Sequence, residues 1–129
     1  MAQDFDIAVL GATPAGYAAA YVLAKRGRQV VLLDAPCQPS ESSLADWVPR
    51  EFFSIPGMPK ALEKKTGAAP FRQMVYHNFD LTRQVEYATR ATIGYFLDVK
   101  DLVNSLRVLA VGAGVKVRRC AARPAVRLR

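Results

Sequence analysis

Gly11, Thr13, Gly16 and Asp34 form the arrangement in this sequence whose residue types and spacing point most directly to a chemistry. They lie in the stretch DIAVLGATPAGYAAAYVLAKRGRQVVLLDA, residues 6–35. A glycine turn ahead of a helix aims free N–H groups and a partial positive charge at a pyrophosphate, and an acid ending the next strand accepts hydrogen bonds from a ribose. Asp34 stands 23 residues after Gly11, as that recognition requires. Pro14 and Ala15 complete the turn. Thr13 occupies the place of the second glycine. A Cβ there pushes a phosphate outward unless the side chain turns away, while the hydroxyl is able to donate to a phosphate oxygen. Asp34 is negative and Ala35 is uncharged, which favours a ribose with free hydroxyls and disfavours the 2′-phosphate of NADP.

The elements needed to position these residues are legible nearby. Residues 5–10 are a short apolar run suited to a buried parallel strand, ended by Gly11. Pro14 suits a first helical position, residues 15–26 are strong helix formers, and Gly27 after Lys25 and Arg26 is a C-terminal signal. Residues 29–33 form a second apolar strand closed by Asp34.

The pattern continues past the turn, where Gly16, Ala20, Leu23, Gly27 and Val30 read GxxxAxxLxxxGxxV. With the TPAG form of the turn, this resembles the FAD-binding fingerprint of the flavoprotein oxidoreductase superfamily, in the branch of geranylgeranyl reductases, flavin-dependent halogenases and monooxygenases. The resemblance implies an α/β fold with a Rossmann-like FAD/NAD(P)-binding parallel sheet, and FAD in preference to NAD. Ser40, Glu41 and Ser42 are similar to a Gly-Glu-Ser-like element of that branch, without its glycine and its preceding arginine. Residues 98–114 have leucines at helical spacing and residues 115–119 read as a strand; together they resemble the element that returns the chain beside the second strand, flanking the adenine. Ala122 then falls near a backbone contact to adenine. The candidate cofactor-binding residues are therefore Gly11, Thr13, Pro14, Ala15, Gly16, Asp34 and Ala122.

The resemblance also implies a division of the chain. Residues 1–129 are expected to be a single incomplete FAD-binding domain: a βαβ unit over 1–35, a connection and insertion over 36–97, and a returning helix and strands over 98–129. Relatives continue into a Gly-Asp element and a substrate domain. The sequence thus resembles the N-terminal portion of a flavoprotein acting on an unknown small molecule.

Between the two resembling segments the signals are weaker. Residues 36–59 hold five of the eight prolines and read as a long connection with a short helix around Leu44 to Trp47. Residues 59–66, followed by Gly67, suggest a short amphipathic helix. Residues 71–78 and 84–89 suggest a hairpin turning around residues 80–83, a small β insertion. His77 is the one histidine, with no nucleophile or acid at a catalytic spacing, and reads as structural. No residue qualifies as a catalytic acid, base or nucleophile by spacing.

Composition bounds the partners. The net charge of +7 lies wholly in the last thirty residues, since residues 1–99 carry ten basic and ten acidic side chains. No aromatic residue lies among those arginines to stack a base, so nucleic acid is disfavoured and the charges read as a strand's solvent face. Cys37 and Cys120 belong to no metal or redox spacing and suggest free thiols in a reducing cytoplasm. Residues 7–24 are uncharged, but Gly11, Pro14 and Gly16 interrupt the run and the flank before it is acidic, so no membrane span is expected. Residues 125–129, AVRLR, look like the start of a further strand, an edge for association. The competing class is a non-catalytic module that holds NAD or ADP at Gly11; a truncated gene product is a third.

Overall fold

The computed structural model describes residues 4–34 and 47–120. The chain divides into two compact units. The first is built from strand β1 (Ile7–Leu10), helix α1 (Pro14–Lys25) and strand β2 (Val30–Asp34). The second contributes strand β3 (Trp47–Pro49), a 3-10 turn (Arg50–Ser54), helix α2 (Leu62–Lys65) and strands β4 (Ala69–Phe71), β5 (Gln73–His77), β6 (Gln84–Ala88) and β7 (Gly94–Phe96). Helix α3 (Val99–Gly112) and strand β8 (Lys116–Arg119) then return to the first unit.

In the first unit the sheet is parallel, in the order β1-β2-β8. Leu10 pairs with Leu33 on one side, and Asp34 pairs with Arg119 on the other. The expected α/β parallel arrangement is therefore present, with the returning strand beside the second one. Val30 and Leu32 are buried in the central strand, where a run of branched aliphatics is favoured because both faces are covered. Helix α1 packs on β2 and on α3. Ala20, Leu106 and Ala110 have no exposed surface. Small residues facing a leucine allow the two helices to approach closely.

The helix ends are specified locally. Gly27, at φ +81°, donates its N–H to Ala24 and the next N–H, from Arg28, reaches Leu23, the paired bonds of a Schellman termination. At the other end of the connection, the Asp6 carboxylate accepts the Gln29 N–H at 2.8 Å and ties the starts of β1 and β2 together.

The second unit is an antiparallel sheet, β3-β7-β4, beside a two-stranded hairpin, β5-β6. Its sheet is covered by rings. Trp47 and Phe71 meet edge to face at 5.7 Å, Phe71 and Phe96 lie 4.7 Å apart, and Phe53 meets Tyr95 at 5.1 Å. Gly94 is required beneath them, because a Cβ there would lie 2.6 Å from the Val48 carbonyl and 2.9 Å from the Phe71 ring. Burial, and secondarily the nearby Glu63 carboxylate, raises the Tyr95 phenol above its ordinary range.

The expected helix around Leu44 to Trp47 is corrected at its last residue: Trp47 is extended and pairs with Phe96, where an aromatic side chain gains a ring partner. The other residues of that expectation lie outside the described ones. Phe71 likewise ends β4 and does not begin the hairpin. The expected helix over 59–66 is shorter, Leu62–Lys65, with Gly67 at φ +61° after it. The hairpin itself forms as expected. Among the described residues no helix is long and apolar enough to cross a membrane.

Leu32→Ala or Leu106→Ala removes a fully buried side chain from the first unit. Each is expected to destabilise the fold by about 2–5 kcal/mol, read as a lower urea midpoint.

Candidate functional site

The site is built where the chain leaves β1. Gly11 has φ +101°, a conformation that disfavours any residue with a Cβ, and its N–H bonds to the Leu33 carbonyl at 2.9 Å. That bond holds the turn against the end of β2. Gly16, the third residue of α1, lies so close to the turn that a Cβ would sit 2.1 Å from the Gly11 carbonyl oxygen. Both glycines are therefore demanded by the backbone, each for a different reason.

Thr13 is not under that demand. Its φ of −91° and ψ of 166° are ordinary extended values. It is the N-cap of α1: its carbonyl accepts the Tyr17 N–H at 2.9 Å and its Oγ1 accepts the Gly16 N–H at 3.1 Å. The side chain has thus turned along the helix end. Pro14, at the first helical position, has no N–H to offer. Gly16's N–H is taken by Thr13, which leaves the Thr13 and Ala15 N–H groups, neither with an intrahelical acceptor, and the Thr13 hydroxyl hydrogen as donors at this helix end. An anion in front of α1 would meet these groups and the positive end of the helix dipole.

Asp34 ends β2, one residue beyond the partner of Leu10, which puts it on the strand next to Gly11 at the same carboxyl end of the sheet. Ligands of open parallel sheets bind at that end. Its carboxylate is a little over one-third exposed, and Arg119 approaches it from β8 with Nε 3.9 Å from Oδ2. The Asp34 carbonyl also accepts the Cys120 N–H at 2.9 Å. Arg119 is 93% exposed, so this long contact is a weak restraint and leaves the carboxylate free to accept other donors. No local motif marks Arg119 for this place; it reaches Asp34 through strand pairing across more than eighty residues.

The structure brings together Gly11, Thr13, Pro14, Ala15, Gly16 and Asp34 at one end of the sheet. Ala122, with Ser40, Glu41, Ser42 and Cys37, lies outside the described residues, as does the AVRLR segment. His77 is exposed on β5, and Cys120 is an unpaired thiol. No group of three or more metal-ligating side chains exists among the described residues.

No protein-family profile matches this chain, and no curated protein matches it in sequence. Solved structures do. A geranylgeranyl bacteriochlorophyll reductase-like protein from Thermoplasma acidophilum superposes with a TM-score of 0.67 at 18% identity, over 89% of this chain and 30% of its own. PqsL of Pseudomonas aeruginosa, described as a probable FAD-dependent monooxygenase, gives 0.65 at 16% identity, over 89% and 32%. CndH, a myxobacterial FAD-dependent halogenase, gives 0.65 at 21% identity, over 89% and 28%. The fold is that of a portion of FAD-dependent enzymes, and the chain spans about 30% of the length of these relatives.

The capping bond makes a separable prediction. Thr13→Ala is expected to cost about 1 kcal/mol of stability while Thr13→Ser retains most of it, as compared by urea denaturation. Gly16→Ala, which drives a methyl group into the Gly11 carbonyl, is expected to lower the urea midpoint more than Thr13→Ala does.

Proposed function

We propose that this chain is the FAD-binding segment of a flavin-dependent oxidoreductase and holds the ADP part of FAD at the turn between β1 and α1. The observation that carries the reading is the placement of Asp34 beside Gly11, at the carboxyl end of the sheet and next to the N-terminus of α1. In this reading residues 1–129 act as a single incomplete FAD-binding domain of a cytoplasmic protein. FAD, when bound, supplies the redox chemistry. The chain's own residues bind and orient. The Ala15 N–H and the Thr13 hydroxyl donate to phosphate oxygens, the Asp34 carboxylate accepts from a ribose hydroxyl, and Gly16 keeps the first helical turn close to the strand. Ala122 contributes a backbone contact to the adenine.

The likeness to FAD-dependent enzymes supports this cofactor. Catalysis and the choice of small-molecule substrate belong to a complete flavoprotein.

The test is a parallel titration of the chain with FAD, ADP and NAD, followed by fluorescence and calorimetry, with Gly11→Ala and Asp34→Ala as controls. FAD is expected to bind more tightly than NAD. Asp34→Ala is expected to weaken it by about tenfold, the loss of one good polar contact, and Gly11→Ala to weaken it by straining the turn at φ +101°. Equal affinity for all three ligands would point to a non-catalytic adenine-nucleotide module. No binding at all would overturn the proposal.

A further inference from the structure

The β5-β6 hairpin carries an apolar face that nothing in the described chain covers. Its register pairs Met74 with Tyr87 and Tyr76 with Val85, so these four side chains share one face of the ribbon. Tyr76 is 57% exposed, Val85 68% and Tyr87 55%. The opposite face is mixed, carrying Gln73, His77, Gln84 and Glu86 together with Val75 and Ala88, and Gln73 is bonded to Glu86 across the strands. An isolated two-stranded hairpin is marginal in water, and one with its apolar face outward has further reason to acquire a partner.

The tip carries two further exposed apolar side chains. Phe79 is fully exposed and Leu81 is 73% exposed. Leu81 also holds φ +59°, a left-handed conformation unfavourable for leucine. A dense set of bonds maintains it: Leu81 N–H to the Asn78 carbonyl at 3.0 Å, Arg83 N–H to Asn78 Oδ1 at 2.8 Å, and Thr82 Oγ1 to Asp80 Oδ1 at 2.7 Å. The tip is thus a built turn that presents two apolar side chains.

Charge then distinguishes the possible occupants. Asp80 sits between Phe79 and Leu81, and the Thr82 hydroxyl and N–H hold its carboxyl below the usual range, so it stays ionised. A lipid surface would have to take up that charge with the tip, which is costly. Arg83 accompanies Asp80 in the turn. At the other end of the hairpin, Arg72 and Arg90 are exposed, and no ion pair joins either to another described residue.

We propose that the hairpin is a self-association surface, on which a second copy of this chain lies antiparallel, apolar face to apolar face, with the tip of each hairpin over the base of the other. The two-fold arrangement sets Tyr76 and Val85 of one copy against Met74 and Tyr87 of the other, and brings Asp80 to Arg72 and Arg90. One surface is then complementary to itself, as a closed dimer requires. From the exposures of its three aromatic and two aliphatic side chains, each hairpin offers roughly 600 Å² of apolar surface, and two together reach the lower bound of about 1,200 Å² for a specific interface.

Sedimentation velocity of the full chain across low to high micromolar concentrations tests this. The expected result is a monomer-dimer equilibrium that Tyr76→Ser with Tyr87→Ser weakens by about tenfold or more. Arg72→Asp with Arg90→Asp is expected to weaken it as well, without touching the apolar face, and a cooperative circular dichroism melt checks that each variant is folded. A wild-type chain that stays monomeric throughout overturns the proposal. So does a dimer indifferent to both variants, or a chain that binds anionic vesicles through the hairpin without associating in their absence.

Discussion

The contact between Gly16 and the Gly11 carbonyl is the constraint on which the first unit turns. A single added methyl group would stand 2.1 Å from that oxygen. Because the contact is allowed only for glycine, α1 can begin almost against the end of β1, and its N-terminus then opens at the carboxyl end of the sheet. The position of Asp34 follows from the same geometry, since the Gly11 N–H is bonded to the residue before it. The remaining features of the site are adjustments around that close approach. Thr13 illustrates the freedom left over: its backbone is extended, and its side chain serves the helix by capping Gly16.

That capping role changes what a threonine at the second glycine position means. A donor that the turn would otherwise offer outward is spent within the helix end, and a hydroxyl hydrogen is gained in exchange. The anion-binding capacity of α1 is thus coupled to the stability of its first turn. A change that improves one is felt by the other.

The legible parts of the fold were those written locally. The βαβ unit from Ile7 to Asp34 was readable because strand, turn, helix stop and acid fall in sequence within thirty residues, and the Schellman end at Gly27 sits where the basic pair Lys25 and Arg26 precedes it. The hairpin was readable from two alternating runs on either side of a turn around residues 80–83. What escaped the sequence depends on residues far apart. The small sheet of β3, β7 and β4 has strands of three residues each, too short for periodicity, and is joined by rings from Trp47, Phe71 and Phe96. Trp47 looked like the end of a helix because its partner lies nearly fifty residues later. Arg119 escaped notice beside Asp34 for the same reason.

The sheet order β1-β2-β8 has a consequence for the sequence of events in folding. The central strand gains its second neighbour only when Lys116–Arg119 arrives, after a loop of more than eighty residues has closed. By contrast, the strands of the second unit are drawn from one uninterrupted stretch of chain. During synthesis the second unit can therefore assemble while the first is still a lone strand-helix-strand. Long-range pairing of this kind slows folding, and the carboxyl end of this sheet is completed only after the second unit has been synthesised.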